Sequence, residues 1–392
     1  MSTGHRHPLD DFPPTLEAAQ ARLQAIQPGA YARTRNALDG TVTRLSPYFT
    51  HGLLDLPVAL ATLQAQHPLG PQDKLVMQLG WREFFAHVWR HQGERIFNDL
   101  RPPVTPLHYA STLPGDVLHA CTGVPVIDHA VRTLYATGYL HNHARMWLAS
   151  YVVHLRKVHW RVGADWLYAH LLDGDLASNH LSWQWVAGTF SVKPYLFNGE
   201  NVARYAPLEW HSPGTVIDTS YEALDVIARE SPDCGPEPIQ AAPCEVPALH
   251  DAPPSQPFAP LPPDWLASLP AQIHLVHPWS LGEQAATGYK LGVIHLPFHA
   301  RFSWSARRWA FVAKRMRECC DAVFVGDLQT LLPQLKAHQL SARDTANPSY
   351  AQALHSGSVQ LESIPRFLED PGRYCQSFSK FYGTQLHGKW HR

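Results

Sequence analysis

The sequence predicts a mainly α protein in which a helical domain is followed, after a proline-rich linker, by a smaller α/β domain. Three observations predict it. Apolar residues recur at helical spacing through roughly the first two hundred positions. Twelve prolines then fall between Pro213 and Pro263. Beyond them, short apolar runs rich in β-branched residues alternate with helical stretches, the pattern of parallel strands joined by helices.

Each element follows in order. Residues 1–11 read as a leader and 12–210 as the helical domain. Leu16 to Ala25 opens it. Asp73 to His91 follows, carrying Leu75, Leu79, Phe84, Phe85 and Val88. Val126 to Ala136 comes next, and then Leu140 to Trp160, long enough as one helix to cross a whole domain. Asp39-Gly40, Pro102-Pro103 and Thr122-Gly-Val-Pro125 punctuate these segments. Residues 211–263 read as an extended linker, because proline at this density interrupts helices and central strands; a short helix is expected near Tyr221 to Glu230. In residues 264–392 the strands are Ile273 to His277, Gly292 to Leu296 and Asp321 to Gly326, with helices at Ser305 to Cys319 and Leu328 to His338. No GxGxxG or Walker loop accompanies them, so this half is assigned no nucleotide role.

Composition bounds the rest. A chain of 392 residues exceeds one ordinary core, and 45% hydrophobic with 17% charged residues describes a globular protein. No apolar run is long enough for a bilayer, and Met-Ser-Thr-Gly-His-Arg-His-Pro lacks a signal peptide's apolar core. Six cysteines without framework spacing fit reduced thiols, and a cytoplasmic monomer is expected. A net charge of −1 provides no global field towards nucleic acid, so DNA binding would need a local basic patch. The 25 histidines are scattered, without Cys-x-x-Cys or His-Glu-x-x-His spacing, and no metal is expected.

Four constellations carry chemistry. Asp173-Gly-Asp-Leu-Ala-Ser-Asn-His-Leu-Ser-Trp-Gln-Trp185 sets two carboxylates, an amide and two indoles within thirteen residues, and Arg145 offers Asp173 a cation. Such a set suits a flavin, whose reduced anionic ring needs a positive partner. Asp175 offers an acceptor to a ring N–H, and Asn179 a hydrogen bond to the ring nitrogen that takes up protons. The same types equally describe a structural salt bridge with an N-cap aspartate. A calcium loop lacks its oxygen ligand at Ala177 and its twelfth-position glutamate. Trp160, Trp183 and Trp185 read as electron-hopping or base-stacking indoles, or as core fillers; their nearness to the Asp/Asn cluster favours the former. Gln78, Trp81 and Arg82 share a helix face suited to a stacked base and a phosphate. Thr41-Val-Thr-Arg-Leu-Ser-Pro47 offers hydroxyls, a cation and backbone N–H groups to a pyrophosphate, although such turns are common elsewhere.

Taken in this order, the segments resemble the helical FAD-binding domain of the photolyase/cryptochrome family. The likeness rests on Thr-Arg-Leu-Ser-Pro, Trp-Arg-Glu-Phe, Thr-Gly-Tyr-Leu-His-Asn-His-Ala-Arg-Met, Asp-Gly-Asp-Leu-Ala-Ser-Asn and Trp-Gln-Trp, from about Phe12 to Pro207. It implies that Tyr31, Thr43, Arg44, Leu45 and Ser46 contact the phosphate and ribose of FAD. Arg82, Asn142, Arg145, Asp173, Asp175 and Asn179 would surround the folded cofactor. Trp183 would be the proximal electron donor with Trp160 behind it, and Asn179 would complete that reactive set. Gln78, Trp81, Asn142, Met146 and Trp185 would receive a flipped pyrimidine dimer. The implied activity is that of a deoxyribodipyrimidine photolyase, a lyase acting on damaged DNA; the alternative is a cryptochrome-like light or redox sensor that binds FAD without repair.

Departures from the family pattern bear on that choice. Gln78 stands where dimer photolyases carry glutamate, and Leu107, beside His108 and Tyr109, where their third tryptophan would fall. His141 matches the first histidine of its motif, but no histidine pair for (6-4) repair aligns. A single cysteine, Cys121, in the helical domain argues against the iron–sulfur subgroup. The resemblance implies an atypical member in which an α/β antenna domain does not precede the helical one; the α/β segment after the linker is expected to be its relocated relative, by fold analogy alone and with no antenna chromophore assigned.

Overall fold

The computed structural model describes residues 11–105, 108–237, 241–282, 288–356 and 358–386. The chain divides into two compact units, each assembled from separated pieces. A helical unit comprises Gln27–Val42, Gly70–Pro247 and Asp370–Arg392; an α/β unit comprises Met1–Ile26, Thr43–Leu69 and Ala248–Glu369. The domain limits expected at residues 210 and 263 are therefore corrected at three places.

The first correction concerns the early helices. Leu16–Gln24 forms where periodicity expects a helix, and Leu56–Gln66 is a helix that the periodicity reading does not include; the partners of both are in the α/β unit. Arg343 clamps Asp55 through two hydrogen bonds of 2.8 and 3.0 Å, and His51 Nδ1 lies 2.7 Å from the Pro278 carbonyl. Gly52, at φ +68°, approaches Trp279 so closely that a Cβ there would sit 2.4 Å from its carbonyl oxygen.

The second concerns the proline-rich stretch, whose first part is docked on the helical unit. The N–H groups of Cys234, Glu237 and Cys244 donate to the carbonyls of Leu155, Thr122 and His119 at 2.8–3.0 Å. Its short helix, Tyr221–Glu230, forms as expected; the buried Lys157 ammonium donates to its Ile227 and Ala228 carbonyls at 2.8 and 2.7 Å. Scarce backbone donors in a proline-rich segment do not prevent docking when three of them reach carbonyls of the helical unit.

The third concerns residues 370–386, which return to the helical unit. Phe378 stacks on Trp81 with ring centroids 4.2 Å apart and planes 8° from parallel, while Tyr382 lies over Gly80. Asp370 anchors the segment to Arg90 at 3.0 Å and to His91 at 3.4 Å. His87 also faces Asp370, but its Nε2 accepts the Cys375 N–H at 3.0 Å, which leaves the proton on Nδ1. This trio reads as a latch for the segment.

The helix expected from Leu140 to Trp160 is two helices. Asn142–Ser150 widens into a π turn at Tyr151–Leu155 and then stops; Trp160–His170 begins anew. Lys157, at φ +47°, turns the chain, and His159 Nδ1 caps the new start by accepting from the Arg161 N–H. Arg156 holds the break through Asp116 and, at 2.8 Å, Asp233.

The α/β unit holds a five-stranded parallel sheet. Its strands are β2 (Gln272–Val276), β3 (Tyr289–His295), β5 (Ala322–Gly326), β6 (Gln339–Arg343) and β7 (Val359–Glu362), ordered β5-β3-β2-β6-β7. A separate antiparallel ribbon pairs β1 (Leu249–His250) with β4 (Trp304–Ser305). The central β2 and β3 are buried almost continuously, hence their apolar runs. β6 and β7 alternate polar and apolar residues towards one edge and escaped the sequence reading. Open sheets of this order bind ligands where the strand order reverses, here the carboxyl ends of β2 and β6. That crevice is bridged by His277, whose Nε2 lies 2.9 Å from the Arg343 carbonyl.

Burial of histidine has a thermodynamic consequence. His154, His170 and His277 are all but inaccessible, and burial pushes each down to about 4. Between that value and the unfolded value near 6.5, only the unfolded chain takes up these protons, so acid favours unfolding. Stability to denaturant is expected to be constant above about pH 6.5 and to fall towards pH 4, with a slope of about 1.4 kcal/mol per pH unit per histidine. A flat profile between pH 6.5 and 4.5 would contradict this.

Candidate functional site

Three helices of the helical unit each turn one stripe into a common cavity of about 500 Å³. Lys74–Gln92 contributes Gln78, Trp81, Arg82 and Phe85; Asn142–Ser150 contributes Asn142, Arg145, Met146 and Ala149; Leu176–Ala187 contributes Ser178, Asn179, Ser182 and Val186. The spacing i, i+3, i+4, i+7 of the first two sets is that of a single helix face, and Asp175, Ser178, Asn179 and Ser182 repeat it from the cap of the third helix. Leu167, Leu171 and Trp183 add apolar wall, and Trp185, 38% exposed, also lines the cavity.

Local sequence sets where these stripes begin. Asp175 caps the third helix, its Oδ1 accepting from the Ser178 N–H at 2.8 Å and hydroxyl at 2.6 Å; Gly188, at φ +85°, ends it. Asp175 is thus a cap and a cavity wall at once, so the two readings of its residue type coexist. Asn179 commits its Nδ2 to the Ala164 carbonyl at 2.8 Å, which leaves its carbonyl oxygen as the acceptor for the cavity.

The charged centre is the Arg145–Asp173 pair. One Arg145 nitrogen donates to both Asp173 oxygens at 3.0 and 2.7 Å, and its Nε holds the Leu140 carbonyl at 2.7 Å. The Asp173 side chain is 3% exposed against 24% for Arg145, so the cation keeps an accessible face towards the cavity. Nearby, Asn142 donates to the Met146 sulfur at 3.5 Å. Burial pushes His141 down to about 4 and lowers His143, keeping neutral rings beside the two guanidinium groups of Arg35 and Arg145.

The tryptophans separate. Trp183 is 2% exposed on the main cavity's wall. Trp160, equally buried, borders a second cavity of about 340 Å³ with Asp99, His108, Tyr109 and His159. Gly163 links them: it lies one turn beyond Trp160 on the same helix face, and the Trp183 ring presses against it. Tyr109 stands edge-on to His159 at 6.4 Å, and His159 lies 5.6 Å from Trp160. Leu107 lies outside the described residues.

Eleven of the residues singled out in the sequence therefore line one cavity: Gln78, Trp81, Arg82, Asn142, Arg145, Met146, Asp173, Asp175, Asn179, Trp183 and Trp185. Trp160 does not line it and stands seven residues before Leu167, the first cavity residue on its helix. Tyr31 does not line the cavity; it is half-buried beside Arg35, and Arg35 and Asn36 reach the wall instead. Thr43, Arg44, Leu45 and Ser46 belong to the α/β unit, which corrects their expected place in the helical domain. There Leu45 is a core residue and Arg44 rests on the Phe12 ring at 4.9 Å. Arg35, Asn36, Phe85 and His143 were missed; Phe85 was legible as one turn beyond Trp81 and Arg82 on their stripe, whereas Arg35 carries no local signal beyond its charge.

Helices converging on a partly shielded cation, a carboxylate, amides and an indole suit a flavin cofactor. Residues 75–208 match the family model described as the FAD binding domain of DNA photolyase. Over this domain the chain is similar to photolyases and cryptochromes. It is 36% identical over 164 residues to a deoxyribodipyrimidine photo-lyase of Streptomyces griseus, covering 41% of this chain and 35% of that protein. To the deoxyribodipyrimidine photo-lyase of Salmonella typhimurium it is 31% identical over 236 residues, covering 54% and 49%. To a cryptochrome DASH of Idiomarina loihiensis it is 31% identical over 191 residues, covering 46% and 42%. The chain thus spans less than half the length of each of these relatives. No helix among the described residues is long and apolar enough to cross a membrane.

Proposed function

We propose that the helical unit holds FAD in the 500 Å³ cavity and that the chain uses light to pass an electron to pyrimidine-dimer lesions in DNA. The observation that carries this reading is the convergence, on one wall system, of the Arg145–Asp173 pair with Trp81, Met146 and Trp185. The donor set fits the cofactor: the cavity lies in the size range of ligand sites, about 300–1,000 Å³, and it offers a cation, a fixed amide acceptor and a buried indole. FAD, when bound, supplies a light-excitable one-electron centre. The other tasks fall to the chain. Arg145 balances negative charge in the cavity; Asn179 offers an acceptor to a protonated ring nitrogen; Arg35 and Arg82 serve the phosphates. Trp183 gives an electron and Trp160 refills it. Trp81, Trp185, Met146, Asn142 and Gln78 receive the extruded bases.

The alternative, a cryptochrome-like sensor without repair, is favoured by one observation: Gln78 presents an amide to the cavity where a lesion-binding carboxylate is expected. Ultraviolet-damaged oligonucleotide under blue light separates the two. Light-dependent loss of dimers is expected, and Trp185→Ala should weaken lesion binding roughly 10- to 100-fold, since stacking contributes about 1–3 kcal/mol per base. Flavin-loaded, illuminated protein that leaves dimers intact would establish the sensor reading instead.

A further inference from the structure

We propose that Asp99 is the proton acceptor for Trp160, so that electron supply to the cavity is coupled to proton transfer. The inference rests on the reading of Trp183 and Trp160 as electron donors. Trp160 Nε1 donates to Asp99 Oδ1 at 2.6 Å, short even for a hydrogen bond to a charged acceptor. The indole is 2% exposed within the helical core, whereas the Asp99 side chain is 34% exposed at the wall of the 340 Å³ cavity. His159 Nε2 lies 3.9 Å from the same carboxylate oxygen, and Tyr109 borders the same cavity.

Loss of an electron turns an indole into a cation whose N–H is strongly acidic. A full charge on a ring this buried is costly unless it is neutralised. The carboxylate is already at hydrogen-bond distance from the atom that becomes acidic. One electron leaves Trp160 for the oxidised Trp183, whose own electron has gone to light-excited oxidised flavin. The Trp160 Nε1–H bond breaks with its electron pair remaining on nitrogen, and the proton forms an O–H bond on Asp99. A carboxylate beside a neutral indole becomes a neutral acid beside a neutral radical, with no charge left in the core. Return of the electron requires the proton to come back as well, which slows wasteful recombination.

The test is flash spectroscopy of the flavin-loaded full chain, comparing the unmodified protein with Asp99→Asn, Asp99→Glu and Trp160→Phe. The unmodified protein should show the neutral tryptophanyl spectrum, formed more slowly in deuterium oxide. Asp99→Asn still accepts the hydrogen bond but cannot take the proton; it should show the cation spectrum, a shorter lifetime and no solvent isotope effect. Asp99→Glu should restore the neutral radical, and Trp160→Phe should abolish it. In flavin-free protein the Trp160 indole N–H resonance should lie far downfield and move upfield in Asp99→Asn, a readout independent of cofactor. The same neutral radical, lifetime and isotope effect in Asp99→Asn would overturn the role of Asp99 alone. No tryptophanyl radical in flavin-loaded unmodified protein would overturn the donor reading and this proposal together.

Discussion

Arg145→Met is expected to leave the purified chain without flavin colour and measurably less stable. The guanidinium meets both oxygens of a carboxylate that is 3% exposed, and it also holds the Leu140 carbonyl at the entrance to its own helix. Removing one partner of a buried pair leaves the other charge desolvated without that partner, at a cost of about 3–5 kcal/mol; the 24% exposure of Arg145 places this case near about 3 kcal/mol. The effect on cofactor should be larger than the effect on fold, because the lost cation is also the group that would balance a flavin anion. Asp173→Asn keeps the shape and one acceptor, so it should retain part of the flavin. Flavin absorbance per chain and the denaturant midpoint measure the two effects separately. Full flavin content in Arg145→Met would reduce the pair to a structural salt bridge.

Gly163→Ala should invert a familiar rule. In an exposed helix interior, alanine is about 1 kcal/mol better than glycine. Here an added Cβ would lie 2.3 Å from two Trp183 ring carbons and 3.2 Å from a third. Trp183 is 2% exposed and can yield only towards the cavity it lines, and overpacking costs about 1–3 kcal/mol. Any yielding shifts the indole that lines the cavity, so flavin fluorescence should change along with the denaturation midpoint. Trp183→Phe lacks the ring carbons that would clash. The double variant Gly163→Ala/Trp183→Phe should therefore be more stable than the two single effects predict when summed. Additivity, or a stabilised Gly163→Ala protein, would show that Trp183 does not press on this helix.

How much of the site was readable follows from its construction. Gln78, Trp81 and Arg82 could be placed on one face from spacing, and the stripe then extends to Phe85 by helical geometry alone. Asp175 announced a helix start, and the cap formed. The contact between Trp160 and Asp99 joins residues 61 positions apart, and no periodicity reports it. The single helix expected over Leu140 to Trp160 failed because apolar periodicity continues across a break that a left-handed Lys157 and a capping His159 impose.

Local chemistry alone was enough for the fold class, for the helix face that bears Gln78, Trp81 and Arg82 and for the short helix at Tyr221–Glu230, since these depend on neighbours within a few turns. Membership of the two units was settled only in the folded chain. The local sequence of residues 43–69 does not say which core they bury against, and an Arg343–Asp55 clamp 288 positions apart holds them in the α/β unit. The return of Phe378 onto Trp81 has the same cause: burial is non-directional, and a side chain's sequence does not say which distant surface will exclude water from it.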